Sequence, residues 1–72
     1  MNEIRLKIWE KRNEKGIKVE ELAAKVGIGR STMYNYENNL TSPPLDILGR
    51  IARCLNVKVM DLIETGDNRD IF

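Results

Sequence analysis

Gly27-Ile28-Gly29 constrains this chain more than any other three residues. Two glycines so close together supply the left-handed or strained backbone of a sharp turn, and they interrupt a helix. Upstream, Leu22, Ala23 and Val26 form an apolar face at i, i+1, i+4, the spacing of a short helix. Downstream, Met33 and Tyr36 resume an apolar face at i, i+3 in a segment that starts at Arg30. Two short helices joined by so tight a turn must cross, and Ala23, Ile28 and Met33 supply their seam. Ala23 stands at the crossing, where only a small side chain allows close approach. The outward face of the second helix is Arg30, Ser31, Tyr34, Asn35 and Asn38, a row of hydrogen-bonding groups with almost no apolar content.

The rest of the chain reads as helices around that pair. Ile4, Ile8 and Trp9 make a stripe at i, i+4, i+5 and predict a first helix from about Ile4 to Lys15, with Trp9 in or near the core. Ile4, Leu6 and Ile8 also alternate, so an extended start that pairs with a partner chain is the competing reading. Gly16 ends the helix. Val19 to Val26 is the second helix, with Glu20 and Glu21 in the first turn where the helix dipole favours anions. Lys18 precedes it and is a poor cap, because its side chain accepts no hydrogen bond. Residues 38–44, NNLTSPP, form a loop. Leu45, Leu48, Ile51, Ala52 and Leu55 carry a strong helical period that Asn56 ends. Val59, Leu62 and Ile63 predict a fifth helix over 58–65, stopped by Gly66, and residues 67–72 are a polar tail closed by Ile71-Phe72.

The expectation is therefore an all-α domain of five helices over residues 1–66, followed by a short tail, 67–72. At 72 residues a single domain buries roughly 60% of its unfolded surface and is marginal alone. A lone cysteine, Cys54, forms no intrachain disulfide and reads as a small buried hydrophobe. With no histidine and no clustered ligands, no metal site or cofactor is expected. No apolar run approaches the ~20 residues of a membrane span. The charged, patterned start carries no leader signature, so a cytoplasmic protein is expected. No nucleophile–base or paired-carboxylate arrangement points to an enzyme, and 72 residues leave little room for a pocket, so no small-molecule ligand is expected. Net charge is only +1, but the basic residues Lys7, Lys11, Arg12, Lys15, Lys18 and Arg30 gather in the N-terminal half, as charges do when they segregate into a binding face.

A helix that packs by one edge and offers polar groups on the other has the form of a DNA-reading helix in a helix-turn-helix. The competing reading is a small bundle whose polar row is only a solvated face. Arg30 can pair bidentately with guanine O6 and N7, and Asn35 with adenine N6 and N7. Ser31, Tyr34, Asn38 and Thr41 can donate to phosphates.

The run EELAAKVGIGRSTMYNYEN, the loop ending SPP and the closing LDILGRIARCLNVKVMDLIE together resemble the Cro/phage-repressor (Xre-like) helix-turn-helix family over about Ile4 to Glu64. The resemblance implies a lambda-repressor-like fold and a transcriptional regulator that binds double-stranded DNA, a repressor by site occlusion. It places Arg30, Ser31, Tyr34 and Asn35 at bases or nearby phosphates, and Lys18, Asn38, Asn39 and Thr41 at the DNA backbone. It gives Glu37 a structural role, holding the loop after the reading helix. Two positions depart from the pattern. The family commonly opens its second helix with Ser/Thr-Gln, where this chain has Lys18-Val19, and it has a leucine where Lys11 stands. The apolar surplus at Val57, Val59, Met60, Ile63, Ile71 and Phe72 predicts a homodimer through the fifth helix and tail. An antitoxin or immunity component, or a protein-interaction module of the same fold, is the alternative.

Overall fold

The computed structural model describes residues 4–65. Gly66 and the tail 67–72, including Ile71 and Phe72, lie outside the described residues. The order is β1 (Ile4–Leu6), α1 (Ile8–Lys15), α2 (Val19–Val26), α3 (Arg30–Glu37), α4 (Leu45–Leu55), a 3-10 turn (Val59–Leu62) and β2 (Ile63–Thr65). The core is one cluster. Ile8, Leu22, Met33, Ile51, Leu55 and Leu62 are sealed from solvent, with Leu6, Ala23, Val26, Tyr36, Leu48 and Ala52 around them.

The helix ends share one device. Gly16, Gly27, Asn39 and Asn56 all take left-handed φ, at 69°, 89°, 58° and 57°. After each, the next residue's N–H reaches back to a carbonyl of the last turn: Ile17 to Arg12, Ile28 to Ala23, Leu40 to Asn35 and Val57 to Ala52. This closure satisfies carbonyls that a helix end leaves bare. Ile17, Ile28 and Val57 then fold onto the core, so each turn is held by its own apolar residue. Leu40 is the exception and is 67% exposed.

Two expectations fail, and for one reason. The fifth helix does not form, and the first begins at Ile8 rather than Ile4. Instead β1 and β2 pair antiparallel, Ile4 with Thr65, Arg5 with Glu64 and Leu6 with Ile63. The Lys7 N–H continues the ladder to the Leu62 carbonyl at 2.8 Å. The alternation of Ile4 and Leu6 is a strand signal after all, and its partner lies in the same chain. A helix over 58–65 would forfeit that pairing, so the chain makes a single 3-10 turn. That turn is closed by Lys58 N–H to the Asp61 carboxylate at 3.0 Å. It then runs out extended. With no helix at Ile4 the predicted stripe dissolves: Ile4 is 70% and Trp9 52% exposed. Trp9 is therefore not a core residue. Cys54 is half-buried against the core rather than sealed in it.

The buried face of α1 carries Ile8 and, one turn on, Arg12. Arg12 donates from Nε to Glu37 Oε2 at 2.6 Å, from Nη2 to Glu37 Oε1 at 3.0 Å, and from Nη1 to the Ile17 carbonyl at 2.8 Å. One guanidinium thus joins α1, the end of α3 and the α1–α2 link. Their side chains are only 12% and 4% exposed, so each charge depends on the other for the solvation it has lost.

Arg12→Ala leaves Glu37 buried and unpaired and is expected to cost about 3–5 kcal/mol, enough to unfold much of a domain this small. Arg12→Met combined with Glu37→Leu should recover a large part of that loss, as read by urea denaturation followed by circular dichroism.

Candidate nucleic-acid interface

The turn between α2 and α3 sets the site. Gly27 ends α2 in the left-handed region, and Gly29 caps α3 in extended conformation at φ −72°, ψ 157°. Ala23, Met33 and Tyr36 are buried, which pins one edge of α3 against α2 and turns the other edge outward.

That outer edge holds the four predicted readers. Arg30, Ser31 and Tyr34 are exposed and Asn35 is half-buried. Together they line an open concavity of ≈ 480 Å³. The fifth wall is Val19, the first residue of α2. The sequence marked Val19 only as a departure from the family pattern. Lys18 precedes it, exposed and extended, at the α2 N-terminus. Its ammonium adds a point charge where the helix dipole already favours an anion.

Arg30 has a partner within the chain. Its Nη1 donates to Glu20 Oε2 at 3.2 Å, and both side chains are more than half exposed. The Glu20 pKa is lowered, mainly by the hydrogen bond from its own backbone N–H; burial opposes this, and the Arg30 charge adds to the lowering. Glu20 therefore stays ionised at neutral pH as the partner of Arg30. Sequence reading placed Glu20 only as a favourable first-turn anion; the ten-residue separation hides the pairing.

The loop after α3 divides in its duties. Thr41 is exposed and lies in the loop. The Asn38 amide donates to the Tyr34 carbonyl at 2.9 Å and finishes the helix. Asn39 reaches the other way. Its Oδ1 accepts from the Leu6 N–H at 2.8 Å, and its Nδ2 donates to the Leu6 carbonyl at 3.1 Å. A side-chain amide thus imitates a neighbouring strand along the outer edge of β1. One amide hydrogen of Asn39 remains for another acceptor. Trp9 stands nearby, in the wall of a second concavity of ≈ 430 Å³ that includes Asn38 and Asn39. The Arg5 guanidinium in that wall is paired with Glu64 at 2.6 Å and Glu10 at 3.4 Å, and both hold it more firmly protonated.

The sequence profile described as Helix-turn-helix matches residues 10–62. An HTH-type transcriptional regulator of Archaeoglobus fulgidus is 39% identical over 64 residues, covering 89% of this chain and 91% of that one. HTH-type transcriptional regulator SinR of Bacillus licheniformis is 34% identical over 65 residues, covering 89% of this chain. The chain spans 59% of that SinR and 20% of a similar regulatory protein of Methanocaldococcus jannaschii. Among solved structures, a DNA-binding protein from Bacteroides fragilis superposes with a TM-score of 0.83 at 29% identity, over 86% of this chain and all of the other. The biofilm master regulator SinR in complex with DNA superposes at 0.68 and 35% identity, over 74% of this chain and 86% of that one.

Asn39→Ala removes both bonds to Leu6 and the residue best suited to the left-handed position. It is expected to destabilise the domain by about 1–3 kcal/mol in urea denaturation. Asn39→Gly keeps the backbone conformation, so the difference between the two variants isolates the backbone cost.

Proposed function

We infer the function from one premise: the chain belongs to the helix-turn-helix family. It is a sequence-specific DNA-binding transcriptional regulator, and its activity is occupancy of a site rather than catalysis. The observation that carries this reading is the face of α3. Arg30, Ser31, Tyr34 and Asn35 share one outward concavity while Met33 and Tyr36 bury the opposite edge. An exposed helix with that polarity fits a major groove.

The roles follow from chemistry. Arg30 and Asn35 read purine edges, guanine and adenine respectively. On binding, Arg30 exchanges Glu20 for the base, so the ion pair holds the guanidinium near its working position. Ser31 and Tyr34 lie beside them for base or phosphate contacts. Lys18, Asn38, Asn39 and Thr41 meet the backbone and fix register without reading sequence. Asn39 does so with the amide hydrogen left over from its clamp on Leu6.

The regulator acts as a homodimer on a pseudo-palindrome and represses by occlusion. Two copies of α3 then enter successive major grooves about 34 Å apart. The contact uses the C-terminal segment, now a 3-10 turn and strand in place of a fifth helix. Met60 is 73% and Val59 37% exposed there. The ladder fixed by Lys7 and Leu62 leaves the Ile63 carbonyl facing away from β1, while the Ile63 N–H is spent on the Met60 carbonyl, so the assembly rests on the exposed side chains of Val59 and Met60.

A second reading, a module of this fold that binds protein instead of DNA, draws on the net charge of +1 and on Val19 in place of the family's glutamine. Selection from random duplexes decides between the two. An enriched motif is expected, bound with an affinity that falls linearly with log salt at a slope near −0.9 per phosphate neutralised. Arg30→Ala should abolish specific binding and leave the helical content intact. Enrichment of no motif favours the protein-binding module.

Sedimentation tests the assembly. A dimer is expected at high micromolar concentration and on DNA; a monomer under both conditions removes the dimer from the proposal.

A further inference from the structure

Val19 has no task in the function proposed above. It opens α2, where the family commonly has a glutamine, yet it lines the same concavity as Arg30, Ser31, Tyr34 and Asn35. It is half-buried, with part of its side chain packed on the core and the rest turned into the concavity. The same concavity is lined by Tyr34, which is 59% exposed. A β-branched aliphatic group and an aromatic ring therefore face one opening whose other walls are hydrogen-bonding side chains.

We propose that Val19 and Tyr34 form a socket for the C5-methyl group of a thymine, which makes Val19 a specificity-determining residue. The inference rests on the DNA-reading function above and adds a second kind of discrimination to it. In the major groove a base pair presents donors, acceptors and one apolar group, the thymine methyl. Arg30 and Asn35 serve donors and acceptors from the same concavity, so an apolar wall between them and α2 meets the one remaining feature. A glutamine at position 19 would offer hydrogen bonds to any base or phosphate. Valine offers none, and a polar edge placed against it loses its water without compensation. Cytosine, with an amino group and no methyl, is the base most penalised.

The socket spans two helices. Val19 comes from α2 and Tyr34 from α3, so its width is set by the Gly27–Gly29 turn and the Ala23 crossing. A contact between the same two side chains and a deoxyribose would also bury apolar surface, but it would not distinguish thymine from uracil, and the test separates the two.

The test uses the full chain and the motif enriched from random duplexes. Synthetic duplexes carry deoxyuridine in place of each thymine in turn, which removes only the methyl. The unmodified protein should lose affinity about fourfold at one thymine per half-site, the value of burying a single methyl-sized group. Val19→Ser removes both side-chain methyl groups, and its fold is checked by circular dichroism. It should bind the thymine and uracil duplexes equally at that position while its response at all other positions is unchanged. An enriched motif that tolerates uracil everywhere overturns the socket and leaves the DNA-reading function standing. A thymine preference that survives in Val19→Ser also overturns it, because the methyl then sits elsewhere. A selection that enriches nothing overturns both.

Discussion

The pairing of Arg12 with Glu37 is the interaction on which the rest of this fold depends. A domain this small has one layer of core and little to spare. Helix α1 touches the others through a short apolar face that ends at Ile8, and α3 ends where its outward residues must be held still. The bidentate bond spans that gap, and the third guanidinium bond takes the carbonyl of Ile17 in the α1–α2 link. Neutral side chains of the same volume could fill the space, but they would not fix the rotation of α3 about its axis. Two parallel N–H···O bonds between planar groups do fix it. The orientation of the outer face of α3 is thus set from behind, by a buried charge pair on its opposite side.

Much of the fold was legible because local chemistry and tertiary packing agree. The boundaries of α2, α3 and α4 follow from the apolar periods and from the residues that end them. Gly16, Gly27 and Asn56 were recognisable as stops, and each precedes the apolar residue that closes its turn. What was not legible is non-local. Residues 58–65 carry an acceptable helical period, and only their pairing with a strand 59 positions away in sequence overrides it. The same pairing moved the start of α1 and brought Trp9 to the surface. Short apolar runs do not distinguish strand from helix by themselves, and a two-stranded sheet made from the two ends of a chain is their hardest case.

The four residues proposed as readers were visible as a polar row at helical spacing, since the packing residues between them were unambiguous. Their surroundings were not. Glu20 reaches Arg30 across the turn, so the strongest candidate for a base contact rests against an anion. That pairing offsets the Arg30 charge and leaves the exposed Lys18 as the cation at the start of α2.

Asn39 joins the two halves of the molecule at a single backbone unit. Its side chain is anchored on Leu6 in the N-terminal strand, while its own backbone terminates the reading helix. The end of α3 is thereby coupled through that amide to the terminal sheet. The Leu6 N–H is therefore a natural spectroscopic reporter. Its nuclear magnetic resonance shift reads the Asn39 bond directly, at the point where the end of α3 and the N-terminal strand meet.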